Sequence, residues 1–227
     1  MPAEESEETA LAIADGVGDA VADAGAVVAG GDLSRSDRIV IDCCVIGRSP
    51  AEVRRRGARP GDRLVVTGAF GGPLAALTAW RAGAEPASEA RARFARPAPR
   101  HAAARFLAAH RAHAMIDVSD GLASDLGHLL AASGVGARLE LERIPVLAVA
   151  AAEAARLGEP TWSFAARSGE EYELLAALPP DVSDAELAHA PAAVTLIGWV
   201  ETEPGVRATA NGAPAMLPAG WDHFAQG

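Results

Sequence analysis

Strand patterns alternate with helical patterns along most of this chain, and that alternation limits its fold more than any other feature. RLVVT at 63–67 and AMIDV at 114–118 are short, mostly apolar runs, as buried strands are. LASDLGHLL follows the second run and repeats leucine at helical spacing. Strands that alternate with helices predict a mixed α/β (α+β) architecture, in which helices flank a mixed sheet.

The same patterns predict the remaining elements. Helices are expected over residues 7–28, 72–82, 99–112 and 183–190, and strands over residues 38–47, 137–146, 171–178 and 193–200. Residues 83–98 are expected to form a loop, and Asn211-Gly212 a turn within a terminal hairpin. Ser119 is expected to cap the helix that follows AMIDV.

Ser49-Pro50 interrupts these patterns and marks the predicted domain boundary. The residues before it are too few to bury a core unaided, because a short chain buries a small share of its surface. We therefore expect residues 1–48 to be the tail of a domain whose beginning is absent, and residues 49–227 to form a second domain.

Charge limits the partners and the chemistry. The formal net charge of −10 argues against nucleic acid, because phosphate backbones are bound by a surplus of Lys and Arg. All 20 basic residues are arginines, which excludes both a P-loop and a Schiff-base mechanism. If this chain transfers a phosphoryl group, arginine and a divalent cation must supply the positive charge.

The sequence also indicates a compartment. No apolar run approaches the ~18 to 20 residues that cross a bilayer, and the acidic start lacks the order of a signal peptide. Cys43 and Cys44 are adjacent and poorly placed to bridge each other, which fits a reducing compartment. We expect a cytoplasmic protein with no membrane partner.

DVSDG at 117–121 is the strongest local signal for a ligand site. Side chains alternate along a strand, so Asp117 and Ser119 share a face. Asp120 follows in the first helical turn, where free N–H groups favour negative charge. Two carboxylates and a hydroxyl at one strand end suit a hard cation such as Mg²⁺. Helix capping alone, with Ser119 as the cap, is the alternative.

Two weaker motifs could contact a phosphorylated ligand. The glycines Gly30 and Gly31 would let the backbone approach a phosphate, and Asp32 could hold a metal, but on the residues alone a plain turn before a strand is the favoured alternative. The arginines at 54–56 could offer forked donors to phosphate oxygens or could form a solvated face.

Two further motifs could contact an organic cation. Glu170 and Glu171 precede Tyr172, where they could hold such a ligand or cap a sheet edge. Phe224, in WDHF near the carboxy terminus, could pack on a ligand or within the protein.

Taken in order, the motifs resemble the thiamine-monophosphate kinases of the aminoimidazole-ribonucleotide-synthetase-like superfamily. The segments that match are GGDLSRS, RRGARPGDRLVVTGAFG, RPAPR, MIDVSDGLASDLGHLLAASGVGA, SGEEYEL and WDHF. The resemblance implies an AIR-synthetase-like carboxy-terminal domain over 49–227, preceded by a remnant of an amino-terminal ATP-binding and dimerisation domain over 1–48. Ser168, Glu171 and Arg56 depart from the family's residues at their positions.

The resemblance also implies roles for single residues. It implies Mg²⁺ ligands at Asp32, Asp117 and Asp120, ATP contacts at Gly31, Asp32, Arg55 and Ser119, and thiamine monophosphate contacts at Glu170 and Phe224. It implies no covalent or acid–base catalyst, because the family moves the γ-phosphate of ATP directly to thiamine monophosphate, with catalysis by positioning and metal.

One part of the family pattern is missing. Family members carry a further amino-terminal stretch, with Gly-Asp-Asp and Thr-Asp motifs that bind magnesium, and they dimerise through it; residues 1–29 do not resemble it. We therefore expect little or no kinase activity from these residues alone and leave a homodimer open. The alternatives are a folded non-catalytic remnant and an ATP-dependent synthetase of the same superfamily with another substrate.

Overall fold

The structure is a computed structural model that describes residues 1–49 and 52–220. The chain divides into two units, Met1–Pro50 and Ala51–Gly227. The domains expected at 1–48 and 49–227 stay a prediction.

The first unit contains helix α1, Glu7–Asp23, and no strand among its described residues. The Ser6 side chain caps α1 by accepting a hydrogen bond from the Thr9 amide at 3.1 Å. The buried strand predicted over residues 38–47 is wrong. This segment is exposed (Val45 and Ile46 are 91% exposed), because residues 1–49 provide no second strand for it to pair with.

The second unit is built on a seven-stranded mixed sheet. Its strands lie in the order β2-β4-β1-β5-β3-β6-β7, and β3 and β6 alone among these neighbours run parallel. The strands are β1 Arg63–Thr67, β2 Ala114–Val118, β3 Gly136–Glu140, β4 Glu173–Leu178, β5 Val194–Glu201, β6 Gly205–Ala210 and β7 Ala213–Ala215. The mixed sheet confirms the predicted fold class.

Helices cover both faces of this sheet. They are α2 Gly72–Arg81, α3 Ser88–Ala95, α4 His101–Ala109, α5 Leu122–Ser133, α6 Ala148–Leu157, α7 Thr161–Ala166 and α8 Asp184–Leu187, with a 3-10 turn at Leu141–Arg143. None of the helices in the described parts of the chain has the length and hydropathy of a membrane span.

Successive side chains of β1 point to opposite faces of the sheet, which explains why helices cover both faces. Leu64 and Val66 point into one core with the leucines of α5, whereas Val65 packs in a second core with Leu107 of α4. All five residues of β1 are buried, as expected for a central strand that is covered on both sides.

A third core consists of small residues where α2, α3, α6 and α7 meet. Alanines of α2, α3 and α6 surround the fully buried ring of Phe164 there. Small side chains let helices approach closely, so the Ala-rich sequence packs well here. The loop predicted over residues 83–98 is wrong in its centre, since that centre is α3.

Candidate functional site

Two loops meet at one edge of the sheet. Because β2 pairs antiparallel with β4, and Val118 stands opposite Glu173, the end of β2 lies beside the start of β4. The Glu170 amide donates to the Ser119 carbonyl at 2.7 Å, and the Tyr172 amide donates to the Val118 carbonyl at 2.9 Å. The fold therefore brings the 117–121 loop and the 168–172 loop together, and we call them the acidic loop pair.

The acidic loop pair presents carboxylates to solvent. Asp117 and Glu170 are exposed, and Asp120 is half-buried. The hydroxyl of Tyr172, a residue that is 39% exposed, donates to Oε2 of Glu170 at 3.0 Å. Burial, that hydrogen bond and the charges of Glu170, Asp117 and Asp120 together raise the pKa of Tyr172. The charges of all three carboxylates thus raise the pKa of the same tyrosine.

The Asp117–Asp120 loop is held by a residue that the sequence analysis missed. Asp125 is 2% exposed, and its Oδ2 accepts hydrogen bonds from the amides of Ser119 at 3.0 Å and Asp120 at 3.1 Å. Burial raises the pKa of Asp125, the two backbone hydrogen bonds lower it, and the nearby charges of Asp120 and Asp117 raise it further. An acid in the first turn of an amphipathic helix is the signal that could have identified it.

The expected cap at Ser119 is wrong. Helix α5 begins at Leu122, its N-cap position is Gly121, and no side-chain cap bond is made there. Gly121 has φ 104° and ψ 151°, a conformation that is nearly restricted to glycine. This turn leaves Ser119 and Asp120 on the loop before the helix, where their amides meet Asp125.

Close backbone packing joins further segments to this loop. A Cβ on Gly169 would lie 2.8 Å from the Ser119 carbonyl oxygen, and one on Gly220 would lie 2.5 Å from that of Asp120. The chain thus returns to the acidic loop pair at Gly220. Phe224 lies outside the described residues.

The arginine run at 54–56 lies along β2. The Met115 amide donates to the Arg54 carbonyl at 2.9 Å, and the amides of Gly57 and Ala58 donate to the Ser133 hydroxyl at 3.0 and 3.2 Å. Arg55 is exposed beside the strand that carries Asp117.

Gly31 and Asp32 are exposed residues of the first unit, where Oδ2 of Asp32 accepts a hydrogen bond from the Ser34 hydroxyl at 3.2 Å. Within the described part of the second unit, no group of three or more His, Cys, Asp or Glu side chains could hold a metal. Asp117 and Asp120 offer carboxylate oxygens at an open strand end, which is the donor chemistry that Mg²⁺ prefers.

A buried ionic network lies beneath the 168–172 loop, and the sequence analysis missed it. Glu171 is 2% exposed and Glu173 is fully buried, and both contact Arg93. Burial raises the pKa of Glu171 to about 7. Burial also acts to raise the pKa of Glu173, but hydrogen bonds from Arg100, Thr67 and Arg93 outweigh it and leave that pKa lowered.

Comparison with known proteins identifies the family. Residues 59–211 match the AIR synthase related protein, C-terminal domain, as expected for the second unit. The chain is 37% identical to the thiamine-monophosphate kinase of Halobacterium salinarum over 93% of this chain and 70% of that protein. It is 31% identical to that of Pyrococcus horikoshii, over 100% of this chain and 71% of that protein.

Solved structures agree with this placement. Thiamine monophosphate kinase from Aquifex aeolicus superposes with a TM-score of 0.79 at 26% identity, over 94% of this chain and 71% of that one. The structure of AaThiL complexed with AMPPCP and TMP gives the same TM-score of 0.79 over 99% of this chain and 71% of that one. Escherichia coli HypE, a hydrogenase maturation protein, shares the fold at 20% identity with a TM-score of 0.74.

The matched domain covers most of the second unit, and two relatives above 30% identity align along nearly the whole chain. This chain therefore belongs to the thiamine-monophosphate kinase family of phosphotransferases.

Proposed function

We propose that this chain has the function of a thiamine-monophosphate kinase, which transfers the γ-phosphate of ATP to thiamine monophosphate and forms thiamine diphosphate and ADP, and that these residues alone show little or no turnover. The observation that carries the proposal is the acidic loop pair, where backbone hydrogen bonds join the loop of Asp117 and Asp120 to the loop of Glu170 at one sheet edge. A metal-nucleotide complex and an organic cation are the two ligands that such a region suits.

Each loop has its own task in this proposal. Asp117 and Asp120 would hold Mg²⁺, which when bound offsets the negative charge of the transferred phosphoryl oxygens. Arg55 and Ser119 would contact ATP. Glu170 and Phe224 would contact thiamine monophosphate, whose thiazolium ring is cationic.

The chemistry needs no covalent intermediate on the protein. A phosphate oxygen of thiamine monophosphate would attack the γ-phosphorus as the bond to the leaving oxygen of ADP breaks. Glu170 would fix the thiazolium end by charge, and Tyr172, bonded to its Oε2 at 3.0 Å, would orient that carboxylate. The residues would therefore act by holding the two substrates in line.

Calorimetric titration of thiamine monophosphate into the purified chain with Mg²⁺ and a non-hydrolysable ATP analogue tests this assignment. We expect saturable binding that Glu170→Gln weakens about tenfold, the size expected for one charged contact. Glu203→Gln, an equal charge change on the exposed β5–β6 turn, is the matched control and should bind as the wild type does.

Absence of thiamine monophosphate binding, or binding that Glu170→Gln and Glu203→Gln weaken equally, would overturn the assignment of the substrate site. Formation of thiamine diphosphate from ATP is the second readout, because it separates a kinase from a protein that only binds these ligands. Turnover with ATP and another acceptor, but not with thiamine monophosphate, would indicate a different reaction.

A further inference from the structure

The 168–172 loop and the start of β4 alternate between solvent and core. Glu170 and Tyr172 are exposed, whereas Glu171 is 2% exposed and Glu173 is fully buried. Each exposed residue thus has a buried carboxylate as its neighbour. The position of the Glu170 side chain therefore depends on what holds the buried carboxylates.

Two arginines from a different part of the chain hold them. Arg100, the last residue of the RPAPR segment, donates from Nε to Oε2 of Glu173 at 2.6 Å and from Nη2 to Oε1 at 2.5 Å. Arg93 of α3 donates to Oε1 of Glu173 at 2.9 Å and to Oε2 of Glu171 at 3.3 Å.

The end of β1 and the turn after it complete the network. The Gly71 amide donates to Oε1 of Glu171 at 2.5 Å, and the Thr67 hydroxyl donates to Oε2 of Glu173 at 2.7 Å. Arg93 also donates to the Ala69 carbonyl at 3.2 Å. The 168–172 loop is thus hydrogen-bonded to the 117–121 loop through its backbone. It is also hydrogen-bonded to the β1–α2 turn through the buried side chain of Glu171.

The backbone of the loop requires such anchors. Glu170 has φ 59° and Tyr172 has φ 51°, in the left-handed region that side chains other than glycine rarely occupy. Strained residues keep such a conformation only where their surroundings determine it. The buried carboxylates of Glu171 and Glu173, which are their neighbours in the sequence, hold the backbone in this conformation.

We propose that Arg93 and Arg100, through Glu171 and Glu173, are positioning residues that fix Glu170 for the organic cation of the substrate. This inference rests on the proposed function, because it takes Glu170 as the residue that contacts thiamine monophosphate. Among the described residues, the side-chain contacts of the two arginines go to Ala69, Glu171 and Glu173, so in this proposal they act on Glu170 through the loop.

Arg93 allows a sharp test, because one of its atoms makes all of its contacts in the network. Nη2 alone reaches Ala69, Glu171 and Glu173, while Nε is buried without a hydrogen-bond partner among the described residues. A lysine ammonium has three donors and could serve the same acceptors. Arg93→Lys should therefore keep the function that Arg93→Met removes.

The experiment measures two quantities in the full chain. Hydrogen exchange of the Glu170 and Tyr172 amides measures how often the 168–172 loop opens in the absence of ligand. Calorimetry measures the affinity for thiamine monophosphate. In Arg93→Met we expect exchange at both amides to rise and affinity to fall, each about tenfold or more. Arg93→Lys should restore both. Nucleotide affinity, and exchange in β1 and β5, should stay at the wild-type level.

Arg156→Met is the matched control, because it removes an arginine–glutamate pair (Arg156 with Glu153) from the exposed face of α6. It should change neither quantity. Should Arg93→Met not fold, Glu171→Gln makes the same comparison, since it keeps an acceptor for the Gly71 amide and removes the charge that faces Arg93.

A folded Arg93→Met with unchanged loop exchange and unchanged affinity would overturn the proposal. So would exchange that rises equally throughout the sheet, because that is the result of a merely structural role, or a lysine variant as impaired as the methionine variant. If the wild type itself binds no thiamine monophosphate, the proposed function fails, while the exchange of the two amides still decides whether the arginines position the loop.

Discussion

Two neighbouring buried carboxylates, Glu171 and Glu173, should make the stability of this protein depend on pH in opposite directions. Glu171 has the larger shift in pKa. Burial raises its pKa from 4.5 to about 7, against the hydrogen bonds from Ser168 and Gly71 and the charge of Arg93. The folded state therefore holds this proton more tightly than the unfolded state. The stabilisation is complete below pH 4.5 and is lost as the pH rises through 7. A shift of this size corresponds to at most about 3 kcal/mol.

Glu171→Gln removes this titration, so the free energy of unfolding of the wild type should fall relative to that of the variant between pH 5 and 8. Urea unfolding at both pH values measures the difference. Glu173→Gln should have the opposite pH dependence. The fold lowers the pKa of Glu173, so this carboxylate stabilises the wild type above pH 4.5, and the stabilisation is lost as the pH falls further. The variant lacks that contribution. Parallel pH profiles for the two variants would contradict this account.

Asp125 is the second residue whose loss should be measurable. Asp125→Ala leaves the amides of Ser119 and Asp120 without their acceptor, and hydrogen bonds to a charged group contribute about 1.5–3 kcal/mol. We expect a loss of stability of about that size by urea unfolding, and weaker binding of Mg²⁺-nucleotide in calorimetry. Asp181→Ala, which removes an exposed carboxylate paired with Arg111, should leave the free energy of unfolding close to that of the wild type.

At the scale of single residues, positions could be predicted from the sequence where one short motif contained all the residues involved. DVSDG indicated that Asp117, Ser119 and Asp120 lie at a strand end, and they do. The pattern could not show that Asp125 accepts the loop amides, because that contact depends on the turn at Gly121. Nor could it show that Arg93 and Arg100 meet Glu173, since those residues are distant along the chain.

At the scale of elements, helix α5 offers two glycines with opposite expected effects. Gly121 has φ 104°, and a Cβ there would lie 3.4 Å from the Ala166 carbonyl oxygen, so Gly121→Ala should destabilise by about 1–3 kcal/mol. Gly127 lies within the exposed helix face with open space around it, so Gly127→Ala should stabilise by about 0.5–1 kcal/mol.

Thermal unfolding of both variants, read by circular dichroism, measures this pair. Only Gly121→Ala should also weaken Mg²⁺-nucleotide binding, because only that position sets the path of the 117–121 loop into the helix. Equal shifts in Tm for the two variants would show that the backbone conformation at Gly121 carries no special strain.

Elements with a strong hydrophobic period were predictable, and those without one were not. The pattern predicted helix at 72–82, where α2 forms, and a hairpin around Asn211-Gly212, which joins β6 to β7. Helix α3 was missed because Ala90 is its single buried residue, so SEARARFA shows no apolar stripe. The segment 38–47 has the composition of a buried strand but lacks a partner strand in the described part of its unit.

At the scale of the whole molecule, strand order was the property that the sequence concealed. Periodicity identifies strands but not their neighbours: β2 lies beside β4 at one edge of the sheet, whereas β1 and β5 lie nearer its centre. That order is what joins the 117–121 loop to the 168–172 loop. The acidic loop pair is therefore a product of topology, which local patterns do not specify.

The division into two units predicts the course of limited proteolysis. No side chain among residues 1–49 is buried, whereas the second unit contains the three hydrophobic cores. Trypsin should therefore cut first after Arg35, Arg38 or Arg48, and more slowly in the exposed run at 54–56, whose backbone is bonded to Met115.

Mass spectrometry should identify a persistent fragment that begins between residues 36 and 57 and includes β1 to β7. Its Tm should lie close to that of the intact chain, because the cores remain whole. The exposed Arg156 is the internal control: it lies in helix α6, whose backbone cannot enter a protease site without local unfolding. Cleavage at Arg156 as fast as at Arg38 would show that the second unit does not hold together as its buried cores require.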